Sequence, residues 1–211
     1  AVLQHLPSTS TFDKPVLVWR TMALLRDLEP TACFEPLRAW LGDRPDAFRR
    51  YELARQIADS FDQYLVYRPD WIRKWEAGEG EHWQADLWRR LARSGDAHRV
   101  RVQQQVRAAL DSGDFDRRRL PQRVAIVGVA ALPPAYLDSL AALARYADIH
   151  WFLLNPCQEY WGDIQAERDL ARLGEETDPD EAYLTVGNPL LASLGKQGRD
   201  FLDLLLGYPQ A

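Results

Sequence analysis

Hydrophobic residues recur at helical spacing through the first 120 residues, with polar residues on the opposite faces. The first helix is predicted to start at Asp13-Lys14-Pro15, with Asp13 as its cap, and to run to Leu28. The longest starts at Pro45 and ends near Tyr67, because Pro69 disfavours the helical conformation of the residue before it. The pattern predicts four further helices, at about 31–41, 70–77, 81–94 and 97–111.

The pattern changes at Leu120-Pro121, where a strand-helix-strand unit begins. Residues 123–129 and 148–154 are short apolar runs, and the first reads as a strand buried on both faces. Pro133-Pro134 opens a helix between them that reaches Tyr146. Such a unit predicts parallel strands joined by a right-handed crossover.

Two further segments complete the organisation. An acidic, loop-like stretch lies at about 174–181, and a last helix is predicted from Pro189 to Leu206. The fold class is therefore a mostly helical α/β protein, with a helical domain over 1–119 and a partial α/β domain over 120–211.

Composition is that of an ordinary globular protein, since hydrophobic residues make up 46% and charged residues 27% of the 211 residues. Neither an apolar run long enough to span a membrane nor a secretory leader is seen, and without an initiator Met we expect a piece of a longer protein. The net charge of −5 argues against a general nucleic-acid binder. Residues 89–123 nevertheless hold ten arginines and four acids, so the sequence allows either a basic groove or an ordinary solvated face.

Motifs for catalysis are missing from the sequence, which contains no phosphate-binding loop, GxGxxG, GxSxG or HExxH. Cys33 and Cys157 stand far apart outside any CxxC pattern, so we expect a reducing cytoplasm and neither a disulfide framework nor a zinc site. His150 and Cys157 form a weak base–nucleophile candidate, and their alternative is a strand histidine beside a small apolar cysteine. We predict no catalytic and no metal-binding residue.

Two other groups have open interpretations. Asp59 and Asp62 are three residues apart on one helix face. They are interpreted either as paired carboxylates for catalysis or metal binding, as part of a solvated helix face, or as a polar wall of a binding channel. An arginine–aromatic set is either a tryptophan-rich core with arginines outside, or a surface that grips phosphates and stacks on bases of a single strand. The set consists of Tyr64, Tyr67, Arg68, Trp71, Trp75, Trp83, Trp88, Arg89, Arg90 and Arg99.

Three segments resemble a known family. They are FDQYLVYRPDW at 61–71, LPPAYL at 132–137 with NPCQEYWGDI at 155–164, and NPLLASLGKQGRD at 188–200. From about Phe12 to the end, in family order, they resemble RecC, the gamma subunits of bacterial exodeoxyribonuclease V (RecBCD). The chain would match an internal piece of the N-terminal half of such a protein.

The resemblance implies the fold of an inactive superfamily 1 helicase, with a 1B-like helical domain followed by part of a 1A-like α/β domain. Active relatives have Asp-Glu after the first strand, where Gly128 and Val129 stand here, and these residues hold neither Mg²⁺ nor water. Asn155-Pro156-Cys157-Gln158 stands in place of the motif that senses the γ-phosphate. We therefore expect no cofactor in this chain, with ATP and Mg²⁺ used by partner subunits.

The resemblance also implies a role and a set of residues. Members of the family split the duplex between RecB and RecD and pass the 3′ strand through a tunnel that is scanned for the hotspot Chi. Carried over by position, the DNA-contacting residues are Asp59, Asp62, Gln63, Arg68 and Arg99, whereas Ser60 departs from an aliphatic pattern. Expected partners are RecB, RecD, single-stranded DNA and the duplex fork, with no membrane and no small-molecule substrate. The alternative is a docking platform for RecB or RecD without direct DNA contact, since tryptophan and arginine are also enriched in protein interfaces.

Overall fold

A computed structural model describes residues 10–43, 45–93, 95–159, 161–165, 171 and 185–208. The chain divides into two compact units, Ala1–Phe115 (unit 1) and Asp116–Ala211 (unit 2). The described residues are mostly helical with a small parallel sheet, which agrees with the predicted mostly helical α/β class. The assignment of 1–119 and 120–211 to helicase-type domains stays a prediction.

Unit 1 contains the six helices that the hydrophobic pattern predicts, with ends shifted by a few residues. They are α1 (Lys14–Arg26), α2 (Glu35–Leu41), α3 (Ala47–Tyr67), α4 (Pro69–Glu76), α5 (Trp83–Ala92) and α6 (Arg99–Ser112). A 3₁₀ turn at Ala32–Phe34 precedes α2 and was not predicted. The residue that caps α3 is Asp46, whose side chain accepts the backbone N–H of Arg49 at 2.7 Å.

The cap position predicted for Asp13 is confirmed, although its side chain bonds elsewhere. Asp13 does occupy the position before α1, but its side chain makes no bond to the first turn of that helix. Its Oδ2 instead accepts the backbone N–H of Ser10 at 2.8 Å. The carboxylate therefore closes the turn that leads into the helix, a competing local bond that aspartate makes readily.

The core of unit 1 is one cluster of buried apolar residues contributed by all six helices. Trp88 lies at its centre, fully buried, with its ring 5.3 Å from Phe12 and 5.4 Å from Phe61 between centroids. Helix α1 packs along α3 with opposite direction, since Lys14 meets Asp59 while Trp19 meets Tyr51. The helical periodicity is thus explained by burial against this cluster.

Unit 2 is built around β1 (Arg123–Val127), α7 (Pro134–Leu143) and β2 (Asp148–Phe152). The two strands pair in parallel, with Arg123 opposite Asp148 and Val127 opposite Phe152, which confirms the predicted strand-helix-strand unit. Both strands end earlier than predicted. At β1 the cause is Gly128, whose φ of +74° turns the chain out of the extended conformation.

Burial of β1 on both faces was predicted and is wrong. Along each strand exposed and half-buried residues alternate, so within the described residues the sheet has one covered and one open face. Val127 and Phe152 lie on the open face, while Trp151 lies on the covered face, 5.4 Å from the ring of Phe201. A near-continuous apolar run favours a doubly buried strand, but here apolar residues also occupy the open face.

The end of the chain also differs from prediction. The last helix is divided at Gly195 into α8 (Pro189–Leu194) and α9 (Lys196–Leu206). A second, unpredicted parallel pair joins β3 (Ile164–Gln165) to β4 (Thr185–Val186), and a 3₁₀ turn at Arg117–Arg119 precedes β1. The acidic stretch predicted at 174–181 lies outside the described residues. Among the described helices, none has both the length and the apolar character needed to cross a bilayer.

Candidate nucleic-acid interface

The second half of α3 carries three of the predicted DNA-contacting residues. Helix α3 buries Phe61 and Leu65 in the core. The predicted DNA-contacting residues of this helix lie outside that buried stripe. Asp59 and Asp62 are half-buried and lie one turn apart, and Gln63 is exposed. Asp59, Asp62 and Gln63 together form a polar row, the α3 row.

A lysine modifies the charge at one end of the α3 row. Lys14 of α1 forms an ion pair with Asp59, and both side chains are nearly half exposed. Such an exposed pair adds little to stability, but it cancels the charge of Asp59. Within the described part of the chain, no three His, Cys, Asp or Glu side chains are grouped as a metal site requires. The row offers hydrogen-bond acceptors and an amide beside a cation.

Arg68 lies at the corner between α3 and α4. Its guanidinium lies over the ring of Trp71, 5.6 Å from the centroid, and donates a hydrogen bond to the carbonyl of Tyr67 at 3.3 Å. Tyr67 and Trp71 are themselves partly exposed. The corner therefore presents an arginine held by an aromatic face, an arrangement suited to stacked or phosphate ligands.

Arg99 is the first residue of α6, and the buried residue before it determines its position. His98 is fully buried, and its Nδ1 accepts the backbone N–H of Arg101 at 3.4 Å as the cap of α6. Because Nδ1 is an acceptor, the ring proton is assigned to Nε2, which donates to Glu76 Oε1 at 2.6 Å. The buried cap leaves the next side chain, Arg99, at the surface.

Glu76 joins three elements through this network. Its Oε1 also accepts the indole N–H of Trp88 at 3.2 Å, and its Oε2 accepts Nε of Arg101 at 3.1 Å. Burial by itself raises the pKa of Glu76, but the hydrogen bonds from His98 and Arg101 outweigh it and hold the pKa below its ordinary value. The ionised carboxylate therefore links α4, α5 and the start of α6 by hydrogen bonds. These bonds hold the backbone from which the Arg99 side chain extends.

One pocket brings Arg99 toward α3. It has a volume of about 230 Å³ and is bounded by Leu65 of α3, by Arg99 and by the turn before α1; its lining residues are Ser10, Phe12, Asp13, Leu65, Ala97, Arg99 and Val102. Leu65 lies one turn after Asp62 and one turn before Arg68. The structure thus places Arg99 across a pocket from the helix that carries the other predicted residues.

Unit 2 contains the base–nucleophile candidate, His150 with Cys157, and the two residues Gly128 and Val129 after β1. His150 is exposed on β2, Cys157 is half-buried in the loop after it, and no hydrogen bond joins their side chains among the described residues. Gly128 follows the last residue of β1, and its backbone N–H bonds to the carbonyl of Phe152 at 3.4 Å. The structure thus places Gly128 and Val129 just after β1, and their correspondence to a catalytic Asp-Glu pair stays a prediction.

Two of the recognised segments meet each other in unit 2. Asn155 Oδ1 accepts the indole N–H of buried Trp161 at 2.9 Å, and Trp161 packs so close to Gly195 that a Cβ there would lie 3.0 Å from its ring. Arg199, also buried, donates to the carbonyl of Ile164. NPCQEYWGDI and NPLLASLGKQGRD thus contact each other through Trp161 with Gly195 and through Arg199 with Ile164.

A family model described as the RecC N-terminal domain matches residues 1–211. The chain belongs to the RecC family. Curated relatives named RecBCD enzyme subunit RecC include those of Escherichia coli, 37% identical over 97% of this chain, and Haemophilus influenzae, 36% identical over 96%. The relative in Mycolicibacterium smegmatis is 31% identical over 74%. The chain spans only 21% and 24% of the length of the first two relatives.

Burial divides the arginine–aromatic set of this RecC-family chain into core and surface residues. Trp75 and Trp88 are core residues. Arg89 donates to the carbonyls of Glu79 and Gly80 at 3.0–3.3 Å and so holds the loop between α4 and α5. For these members the interpretation as a helical core is confirmed. Arg68, with Tyr67 and Trp71 beside it, keeps an exposed arginine–aromatic surface.

An exposed aromatic surface was missed by sequence reasoning about this RecC-family chain. Trp19 of α1 is 64% exposed and lies 5.7 Å from the ring of Tyr51, and Phe48, one turn before Tyr51 on α3, is 68% exposed. We call Trp19, Phe48 and Tyr51 the α1–α3 aromatic patch. The signal was present in the periodicity, because Trp19 falls off the stripe formed by Leu17, Val18 and Leu25.

Proposed function

We propose that this chain forms a non-catalytic part of the path taken by the 3′ single strand in a RecBCD-type helicase–nuclease, where it contributes to scanning for Chi. The observation that carries this function is the arrangement of the α3 row, with Arg68 beyond its end and Arg99 across the pocket lined by Leu65. The setting is homologous recombination and double-strand break repair in the bacterial cytoplasm.

The chemistry of these side chains suits a strand that is inspected while it moves. Carboxylates and amides accept and donate hydrogen bonds at base edges, and arginine binds guanine or phosphate. The α3 row carries Asp59 with its charge cancelled by Lys14, the acid Asp62 and the neutral Gln63. A wall of mixed charge avoids the strong phosphate binding that would stall translocation.

We also propose that the chain has the fold of a superfamily 1 helicase without ATPase activity. Residues 1–119 would correspond to a 1B-like domain and 120–211 to part of a 1A-like domain. The parallel pair of β1 and β2 with its crossover helix supports this. Gly128 and Val129 at the end of β1 offer no carboxylate for Mg²⁺, so ATP and Mg²⁺ would be used by RecB and RecD.

The test uses the full-length subunit assembled with its partners. Arg68→Ala and Arg99→Ala are each expected to lower hotspot recognition about tenfold, as loss of one arginine–guanine contact of about 1–3 kcal/mol implies. Unwinding without a hotspot should change less than twofold. Arg73→Ala, an exposed arginine on α4, is the matched control and should change neither activity. Equal loss of unwinding and recognition would contradict the proposal.

A second candidate function, docking of RecB or RecD, is favoured by a separate observation. The α1–α3 aromatic patch exposes two large rings, and aromatic residues with arginine are enriched at the centres of protein interfaces. If the patch docks a partner subunit, Trp19→Ala with Phe48→Ala should weaken assembly of the complex at least tenfold and leave hotspot recognition by the assembled fraction intact. Unchanged assembly in sedimentation experiments would exclude this role for the patch.

A further inference from the structure

The pocket beside Arg99 combines apolar walls with two groups of opposite charge. Phe12 and Leu65 are buried core residues and Val102 is half-buried, so apolar side chains from three segments line it. Its charged lining residues are Asp13 and Arg99. The volume of about 230 Å³ is below the roughly 300–1,000 Å³ of sites for drug-sized ligands. The pocket is therefore suited to one flat ring system rather than to a whole nucleotide.

Asp13 supplies a hydrogen-bond acceptor to this pocket. Its Oδ2 accepts the backbone N–H of Ser10 at 2.8 Å, and the Ser10 hydroxyl in turn accepts the backbone N–H of Phe12 at 3.1 Å. These bonds hold the carboxylate in the turn before α1. Within the described part of the chain Oδ1 accepts no hydrogen bond. A ligand N–H can therefore be bound by this oxygen without displacing a protein partner.

Arg99 supplies the donors of the pocket. Its side chain is exposed, and the backbone that carries it is held by His98, the cap of α6. Asp13 and Arg99 line the same pocket, yet among the described residues they form no ion pair with each other. A ligand with acceptors on one edge and donors on another can therefore bind both. A phosphate cannot, because the carboxylate of Asp13 would repel it.

We propose that this pocket binds one guanine base turned out of the single strand, an inference that rests on the strand path proposed above. Proteins that read an unstacked base hold it between apolar side chains and form hydrogen bonds to its edge. Guanine O6 and N7 match the guanidinium fork of Arg99, and this pairing is the commonest base-specific contact of arginine. The N1–H and N2–H donors of guanine match the carboxylate of Asp13.

Guanine matches this lining better than the other DNA bases do. Adenine carries an amino group where guanine carries O6, so the arginine fork would meet a donor. Cytosine offers an amino group to Asp13, but it lacks the O6–N7 pair of acceptors. Thymine lacks that pair and has no amino group. Guanine is therefore the base that offers two hydrogen bonds to Arg99 and two to Asp13.

The test uses the full-length subunit assembled with its partners, in the absence of ATP. Forked duplexes carry 3′ tails of oligothymidine with a single test base, which is moved along the tail one position at a time. The test bases are guanine, adenine, cytosine, hypoxanthine, which lacks the 2-amino group, and 7-deazaguanine, which lacks the N7 acceptor. The affinity of the complex for each fork is measured by fluorescence anisotropy.

Three variants change the pocket by different means. Asp13→Asn replaces a carboxylate oxygen by an amide donor, Arg99→Ala removes the guanidinium, and Ala97→Leu adds bulk at an exposed lining residue. The matched controls are Asp43→Asn and Ala108→Leu, which make the same exchanges at exposed residues outside the pocket. Because Asp13→Asn and Ala97→Leu act independently, either one decides the result if the other fails to assemble.

One guanine is expected to raise the affinity about tenfold over thymine at one position of the tail, as a good bidentate contact implies. Hypoxanthine should lose part of this gain in the native complex, but it should bind as well as guanine in Asp13→Asn. In the same way, 7-deazaguanine should be weaker in the native complex and equal to guanine in Arg99→Ala. Ala97→Leu should remove the preference for guanine, whereas both controls should keep it.

Three outcomes would overturn the inference. A native complex with no preference for guanine at any position would exclude the site. A preference for adenine or cytosine would assign the pocket to another base. If Asp13→Asn and Ala97→Leu keep the preference that Arg99→Ala loses, Arg99 binds the base outside the pocket, and the strand path stands without it. The strand path itself is excluded by a different result, unchanged hotspot recognition in both Arg68→Ala and Arg99→Ala.

Discussion

Units 1 and 2 differ in how they use their apolar residues. In unit 1 the buried apolar side chains form one cluster with Trp88 at its centre, and large rings make its contacts. In unit 2 the buried apolar residues among those described are few; they are Leu137, Ala142, Ala147, Trp161, Ala192 and Phe201. Val127, Phe152 and Leu154, which lie in or just after its strands, are exposed.

The two units also position their charged side chains in different ways. In unit 1 a large aromatic core supports a partly buried polar network around His98, and that network places Arg99 at the surface. In unit 2 Arg117 and Arg145 lie over the ring of Tyr146 in cation–π contacts. Side chains held by a closed core are more rigid than those held by exposed contacts, so we expect Arg99 to be held more firmly than Arg117 and Arg145.

The largest expected effect is removal of the centre of the unit 1 core. Trp88→Ala deletes a fully buried indole that packs on Phe12, Phe61 and His98. The free energy of unfolding should fall by about 3–5 kcal/mol, measured by urea titration. Trp19→Ala removes the same side chain from an exposed position and should cost less than about 1 kcal/mol. Similar losses for both would contradict the central role of Trp88.

The next effect concerns the carboxylate that connects three helices. Glu76→Gln keeps the shape but removes the charge that accepts from His98, Trp88 and Arg101. We expect a loss of about 2–3 kcal/mol, because charged hydrogen bonds are among the strongest in proteins. Glu79→Gln, an exposed change on the following loop, is the control and should be close to neutral in the same titration.

Glu76 also predicts a pH dependence of stability. Its folded-state pKa lies below the ordinary value of 4.5, so its stabilising contribution is fully present above that value. The contribution is lost as pH falls through the lower, folded-state pKa, where the folded carboxylate takes up a proton. Urea titrations between pH 7 and pH 3 should show this acid-side loss in the native chain. Any loss of stability at acid pH that remains in Glu76→Gln comes from other carboxyl groups.

A smaller effect separates two glycines of unit 2. Gly195→Ala would place a methyl group 3.0 Å from the Trp161 ring and against the carbonyl of Leu191, and we expect a loss of about 1–3 kcal/mol from overpacking. Gly198→Ala meets Trp161 at an ordinary 3.6 Å within α9. It should raise stability by about 0.5–1 kcal/mol through helix propensity. Thermal unfolding of the two variants gives opposite shifts if this packing is correct.

The smallest effect tests the cap of α3. Asp46→Ala removes the acceptor for the backbone N–H of Arg49 and should cost about 1 kcal/mol. Asp46→Asn keeps an acceptor and should cost only a few tenths of that. If both variants lose the same stability, the charge of Asp46 rather than its hydrogen bond supports the helix, because only the charge is absent from both.

Sequence reasoning predicted the regular elements well and the half-buried ones less well. The six helices of unit 1 follow a period that burial imposes on every turn, and Pro69 and Gly42 mark helix ends through their own backbone preferences. The burial of β1 was predicted wrongly, because a five-residue apolar strand has the same composition with one face open as with both covered. The strands Ile164–Gln165 and Thr185–Val186 are too short to leave a pattern.

The candidate site was predictable in part. Family resemblance supplied Asp59, Asp62, Gln63, Arg68 and Arg99, and their DNA contacts stay predictions. The sequence alone did not separate Trp88, a core residue, from Trp19, a surface residue, until each was placed on its helix face. Nothing in the sequence indicated that His98 caps a helix while bonded to Glu76, because that bond joins residues 22 positions apart.

The sequence by itself determined where the helices and the parallel pair lie and to which family the chain belongs. Local backbone preferences, hydrophobic period and long motifs are all written in neighbouring residues. Tertiary structure decided which charged side chains meet. The pairing of Lys14 with Asp59, the pocket between Leu65 and Arg99, and the gathering of Arg117 and Arg145 over Tyr146 depend on distant segments packing together. Spatial neighbours far apart in sequence leave no periodic signal, which is why only the folded chain shows them.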